Sequence, residues 1–126
     1  MPSASQITGR RGEDEACLYL VRAGHTIIER NWRGGHTEID IISLAGDGIH
    51  FVEVKSRKAP VMAAPERNVD RKKMQHLQAA ALRWLHSPKR APMQEMEIFF
   101  DVISVVFDND SRDIQYYPQA FVPIYV

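Results

Sequence analysis

Thr37-Glu38-Ile39-Asp40-Ile41-Ile42-Ser43-Leu44, the turn Ala45-Gly46-Asp47-Gly48, and Ile49-His50-Phe51-Val52-Glu53-Val54-Lys55 read together as a β-hairpin whose apolar strands carry charge. Both arms are rich in β-branched residues, and the Gly-Asp-Gly between them is a strong turn signal. Side chains alternate along a strand. A symmetric turn centred on Gly46-Asp47 therefore pairs Leu44 with Ile49, Asp40 with Glu53, and Glu38 with Lys55. Residues directly opposite one another have Cβ atoms about 5 Å apart. Two carboxylates at that spacing repel by roughly 3 kcal/mol at an effective dielectric of about 20. The surrounding Ile39, Ile41, Val52 and Val54 favour burial, so water alone does not dilute the repulsion.

Three outcomes relieve it: one carboxylate takes up a proton, a basic side chain bridges the pair, or a cation binds. Hard oxygen ligands on two fixed strands suit Mg²⁺ or Mn²⁺, with water filling the remaining positions. Lys55 lies on the face of Glu53, where it is placed to orient a water or to stabilise charge developing on a phosphate. The bland alternative is a solvated polar face with a Glu38–Lys55 ion pair. For Glu-x-Lys alone that alternative is the better one, since the triplet is common on exposed strands.

Outward from the hairpin, Ala16, Cys17, Leu20 and Val21 recur at helical spacing between Arg10 and Ala23, with Gly24 as a stop. Glu13 falls on the same stripe. His25 to Trp32 reads as a strand ended by Gly34-Gly35. Pro60 and Pro65 mark a loop, and Asn68 to His86 is a helix with Met74, Leu77, Ala81, Trp84 and Leu85 on one face. After a loop through Pro92, Glu97 to Phe107 is a long strand, and Ile114 to Tyr117 is expected to add a short edge strand. The order α-β-β-β-α-β, with that short final strand, predicts an α/β fold: a mixed sheet with helices on both faces. Residues 1–8 are expected to form a flexible tail and 9–126 a single domain.

The 126 residues suffice for one domain with a real core. Lys and Arg number 16, as do Asp and Glu, which argues against a strongly basic nucleic-acid coat protein. The charge is segregated, however. Lys55 to Lys73 holds seven basic residues against Glu66 and Asp70, while Glu95 to Asp113 holds six acids against Arg112. One basic surface facing phosphates is compatible with overall neutrality, and so is a pair of solvated charged faces. Lys72 and Lys73 open the second helix, an unfavourable place for cations in the helix dipole, and this hints at phosphate contact. The single cysteine, Cys17, reads as a core residue. His25, His36, His50, His76 and His86 lack metal-binding spacing. Asp101, mid-strand between Phe99 and Ile103, reads as a buried acid satisfied by a basic residue or by backbone. No apolar run reaches membrane-spanning length and Met1 to Gly9 lacks a secretory apolar region, so no membrane association and a cytoplasmic location are expected.

At these residues the chain resembles the PD-(D/E)xK nuclease superfamily. More narrowly it resembles the YraN-like bacterial family, uncharacterised and similar to Holliday-junction resolvases and restriction endonuclease-like domains. Gly9-x-x-Gly12-Glu13-x-x-Ala16, Asn31-Trp32-Arg33, Glu38-Ile39-Asp40, Phe51-Val52-Glu53-Val54-Lys55-x-Arg57, Lys72, Phe100-Asp101-Val102 and Ala120-Phe121 carry the likeness. Thr37 stands where that family usually has Gly, and Phe99 where Arg is common. The resemblance implies a restriction endonuclease-like fold, Asp40 and Glu53 as ligands of Mg²⁺ or Mn²⁺, Glu13 as an additional acid, and Lys55 as the catalytic lysine. It implies a metal-dependent endonuclease acting on nucleic acid, expected to be DNA, with Arg57, Lys58, Lys72 and Lys73 as backbone contacts. A homodimer would supply two sites for two strands. The competing expectation is a nucleic-acid-binding protein or accessory subunit that keeps the fold without turnover.

Overall fold

Ser3 opens helix α1 (Ala4–Arg22) with a capping box: its hydroxyl accepts the Gln6 N–H at 3.2 Å, and the Gln6 side chain accepts the Ser3 N–H at 2.8 Å. The segment expected to be a loose tail is thus largely helix, because two otherwise orphaned N–H donors are satisfied before the apolar stripe begins. Thr8, Gly12, Ala16 and Leu20, one turn apart, form the buried face. Gly12 is required there. A Cβ on it would lie 1.7 Å from Ser56 Oγ, so the helix backbone sits directly on the sheet. Cys17 is half-buried against the core beneath α1, as read from the stripe.

The computed structural model describes residues 1–60 and 71–119. After α1 come β1 (Thr26–Gly34), β2 (Thr37–Ala45), β3 (Gly48–Lys58), α2 (Arg71–Leu85), a 3₁₀ turn over Pro88–Met93, β4 (Ile98–Asp108) and β5 (Ser111–Tyr117). The strands form a five-stranded sheet in sequence order. All neighbours are antiparallel except β3 and β4, which run parallel from Ile49↔Ile98 to Lys58↔Phe107. A parallel pair needs a crossover, and α2 lies within it. The architecture is the expected mixed α/β sheet with helices on both faces. Ile41, Val52, Ile103 and Val105 pack against Ala16 and Leu20 of α1. Ile39, Ile42, Phe51 and Phe100 pack against Ala80, Ala81, Trp84 and Leu85 of α2.

Some boundaries differ from expectation. The segment up to Pro92 contains a 3₁₀ turn, and the final strand begins at Ser111, paired with Asp108 across a tight turn. The expected start of the second helix at Asn68, the loop residues after Pro60, and Ala120-Phe121 lie outside the described residues. Among the described residues no helix is long and apolar enough to cross a membrane.

Candidate active site where the central hairpin parts

The hairpin register matches expectation from Ala45↔Gly48 through Leu44↔Ile49 to Ile41↔Val52, and there the ladder ends. The pairs expected next, Asp40 with Glu53 and Glu38 with Lys55, are not ladder partners. The reason lies in the backbone at Asp40. Ile39 and Ile42 both belong to the core under α2, whereas Ile41 belongs to the core under α1. Strict alternation would put Ile39 and Ile41 on one face, so the strand turns over between them. On the opposite side, Asn31 lies between the pairs Arg30↔Ile41 and Trp32↔Ile39, with a left-handed φ of +53°. Asn tolerates that conformation better than most residues. The Asp40 carboxylate then substitutes for the missing ladder: the Val54 N–H donates to its Oδ2 at 2.8 Å.

This break gathers groups from several elements. Glu53 is buried at 7% exposure, unusual for a carboxylate. Lys55 Nζ stands 3.4 Å from Glu53 Oε1, and Lys73, from the first turn of α2, pairs with the same oxygen. Glu13 comes from α1, half-buried and 3.7 Å from the Arg30 guanidinium, with Asn31 beside it favouring its charged form. Asn31 is a site residue that motif reading left without a role; its signal was a turn-prone residue inside a strand.

Burial and then the charge of Glu53 push the Asp40 carboxyl up to about 7, against the lowering pull of the Val54 N–H. Burial likewise raises Glu13, with the Asn31 hydrogen bond and Arg30 opposing. Lys55 is lowered, by burial and then by Lys73, with Glu53 opposing. Lys73 moves the other way: burial draws it down, but its bond to Glu53 and the charges of Glu53 and Asp40 outweigh that. Of the three ways to relieve the hairpin carboxylates, two are therefore visible. Basic side chains sit on Glu53, and Asp40 is shifted toward holding a proton.

Lys73, expected among the phosphate contacts, is turned onto Glu53. Arg57 is half-buried, and Lys58 and Lys72 are exposed. Arg57 and Lys58 line a cavity of about 260 Å³ with Ala4, Ser5, Thr8 and Ser56, at the start of α1.

Among the described residues no three His, Cys, Asp or Glu side chains form a ready-made metal cage. The donor set nevertheless fits a hard, water-rich cation. Asp40 and Glu53 offer carboxylate oxygens from two fixed strands, and Mg²⁺ commonly takes one or two carboxylates and keeps its remaining waters. Asp40, raised to about 7, carries the electrostatic cost that a nearby cation would remove.

A second polar cluster occupies the other end of the sheet, under the C-terminal part of α1. Asp101 is fully buried, and its Oδ2 accepts from Tyr116 Oη and bonds His50 Nδ1, both at 2.6 Å, while its Oδ1 accepts the Gln119 N–H at 2.9 Å. This is the satisfied acid that its mid-strand position suggests. His50 Nε2 meets Asp47 at 2.7 Å, its ring stacks on Phe99, and His25 abuts it edge-on. Burial draws His50 down, but its bonds to Asp101 and Asp47 prevail and raise it. Phe99 serves here as the stacking partner of the His50 ring. The histidine spacing gave no sign of this, because the two rings meet only through strand pairing.

The model of the uncharacterised protein family UPF0102 matches residues 12–105. A UPF0102 protein of Nitratidesulfovibrio vulgaris strain DP4 is 39% identical over 121 residues, covering 96% of this chain and 88% of its own. One from Rhodococcus opacus is 34% identical over 114 residues, covering 90% and 94%. One from Bacteroides thetaiotaomicron is 34% identical over 115 residues, covering 91% and 92%. Among solved structures, that of Pyrococcus furiosus SfsA in complex with Ca²⁺ is similar at 17% identity and a TM-score of 0.36, covering 90% of this chain and 63% of that one.

Proposed function

The chain belongs to the uncharacterised protein family UPF0102, and from that premise we propose that it is a metal-dependent nuclease hydrolysing phosphodiester bonds, a DNA endonuclease of Holliday-junction-resolvase-like type. The observation that carries the proposal is the break in the central hairpin, where Asp40 is raised to about 7 beside buried Glu53 and Lys55.

Asp40 and Glu53 would hold Mg²⁺ or Mn²⁺, with Glu13 as a further acid that holds the ion or positions a water. Such an ion, when bound, polarises the phosphoryl oxygen and makes water a stronger nucleophile. Lys55, anchored by Glu53, orients the attacking water and offers charge to the phosphate in the transition state. Asn31 favours the charged form of Glu13. Arg57, Lys58 and Lys72 fit phosphate contacts, which position a strand without reading its sequence. A cytoplasmic location and a homodimer with two sites for two strands complete the proposal.

Cleavage of branched, single-stranded and duplex DNA with Mg²⁺ or Mn²⁺ tests it. Lys55→Ala and Asp40→Asn should each lose about a hundredfold or more in rate. Absence of cutting on every substrate, or variants as active as wild type, would reject the enzyme.

One observation favours a second reading, a nucleic-acid-binding protein or accessory subunit without turnover: the Lys73 ammonium itself compensates Glu53. Calorimetry with Mn²⁺ separates the two, since the second reading expects no heat above background.

A further inference from the structure

We infer that Lys73 is a built-in counter-cation of the site, occupying the Glu53 carboxylate in the ion-free protein and giving it up when a divalent ion binds. The inference rests on the metal-dependent reading above and adds a regulatory step to it, an exchange of one cation for another.

The argument begins with helix α2. Among the described residues it begins with Arg71, Lys72 and Lys73. Cations there oppose the helix dipole. The ordinary expectation is that such side chains turn away into water, and exposed Arg71 and Lys72 do. Lys73 instead crosses from the helix to the sheet, is only 39% exposed, and pairs with Glu53 Oε1. A second ammonium, Lys55, stands 3.4 Å from that same oxygen. Two ammonium groups thus converge on one buried carboxylate oxygen, and Asp40 across the break adds a second negative charge for them to balance as it loses its proton.

A divalent ion shared by Asp40 and Glu53 changes that balance. It would bring two positive charges to the carboxylates that Lys73 neutralises, and the three cations would then repel across a few ångströms. The two amines differ in how easily they can leave. Lys55 is fixed on β3, hydrogen-bonded along its length to β4. The two stems are alike, but Lys73 is 39% exposed against 18% for Lys55, so a rotamer change carries Lys73 out to water more easily. Ion and lysine are then linked reciprocally: each weakens the other's hold on Glu53.

The test uses the full-length protein, Mn²⁺ calorimetry and amine labelling. Lys73→Gln should bind Mn²⁺ more tightly than wild type, by roughly 5- to 150-fold, the span of ordinary coupling between sites. Lys73→Arg should stay near wild type. Arg71→Gln, which removes the same charge from the same helix turn, should stay within about twofold. In wild type, acylation of the Lys73 amine followed by mass spectrometry should rise when Mg²⁺ is added. That second measurement needs no substitution and holds if Lys73→Gln folds poorly. If wild type binds Mn²⁺ but Lys73→Gln binds no tighter, or Lys73 labelling ignores Mg²⁺, the exchange is wrong while the metal site stands. If neither protein binds the ion, the metal-dependent reading fails and the exchange with it.

Discussion

Replacing Asp40 by Asn should stabilise the ion-free protein, and by an amount that depends on pH. Asp40 is moved from 3.8 to about 7, by burial first and by Glu53 second. Its charged form is therefore less favourable in the native state by about 4 kcal/mol. Asn keeps the shape and the oxygen that accepts the Val54 N–H, and it carries no charge. Native Asp40 holds its proton up to about pH 7, whereas the unfolded chain releases it near its ordinary value of about 4. Between those values the native state binds the extra proton, so wild-type stability falls as pH rises through the window and levels off above it. The Asn variant has no such window. Its advantage over wild type should grow by between about 2 and 3 kcal/mol from pH 5 to pH 8.5, the native-state penalty being only partly developed at the lower pH. Urea denaturation with a chelator at both pH values measures this; with a slope of about 1–2 kcal/mol/M, the difference is a midpoint change of at least about 1 M. Added Mn²⁺ should raise wild-type stability and leave the variant unmoved. A variant less stable than wild type at pH 8.5, or an advantage equal at both pH values, would refute the picture of an electrostatically strained carboxylate.

Two further outcomes follow from contacts elsewhere. Gly12→Ala should cost about 1–3 kcal/mol in urea denaturation, since the new Cβ meets Ser56 Oγ at 1.7 Å and Ser56 Cβ at 2.7 Å, and Ser56→Gly in the same chain should recover most of it. His50, raised by Asp101 and Asp47 against its burial, contributes stability that is complete below the ordinary imidazole value and lost as pH rises through its higher native one. His50→Gln should therefore flatten the fall in melting temperature on the alkaline side of about pH 6.5, without altering Mn²⁺ binding at the far end of the sheet.

Much of this architecture is legible in the chain because it rests on local signals. The Gly-rich turn and the alternating apolar residues fix Leu44 opposite Ile49, and the helical stripes identify the faces of α1 and α2. Legibility fails where a neighbouring strand decides. Nothing within residues 37–55 says that the ladder stops at Ile41↔Val52; that depends on Asn31 and on the Val54 N–H finding a side chain. Lys73 was conspicuous as a cation at a helix start, but its partner is on β3, and pattern alone cannot supply that distance. The early start of α1 was readable: Ser3 and Gln6 have capping-box spacing, and the polar composition around them masked it. The cluster of His50, Asp101 and Tyr116 draws on two strands besides β3, so only Asp101, a lone acid inside an apolar strand, announced it.

The parallel pairing of β3 with β4 constrains how the molecule is made. Every residue given a role in the active site lies at or before Lys73, yet the strand that lends it Glu53 and Lys55 acquires its second neighbour only when Ile98 and its successors are available. On a chain growing from its N-terminus, β1 to β3 can form by local hairpins while the flank of β3 stands open. That flank is a long apolar edge, the kind most prone to pair with a stranger. Synthesis of the C-terminal third is what closes it, and truncations that remove β4 should aggregate rather than yield a minimal working half.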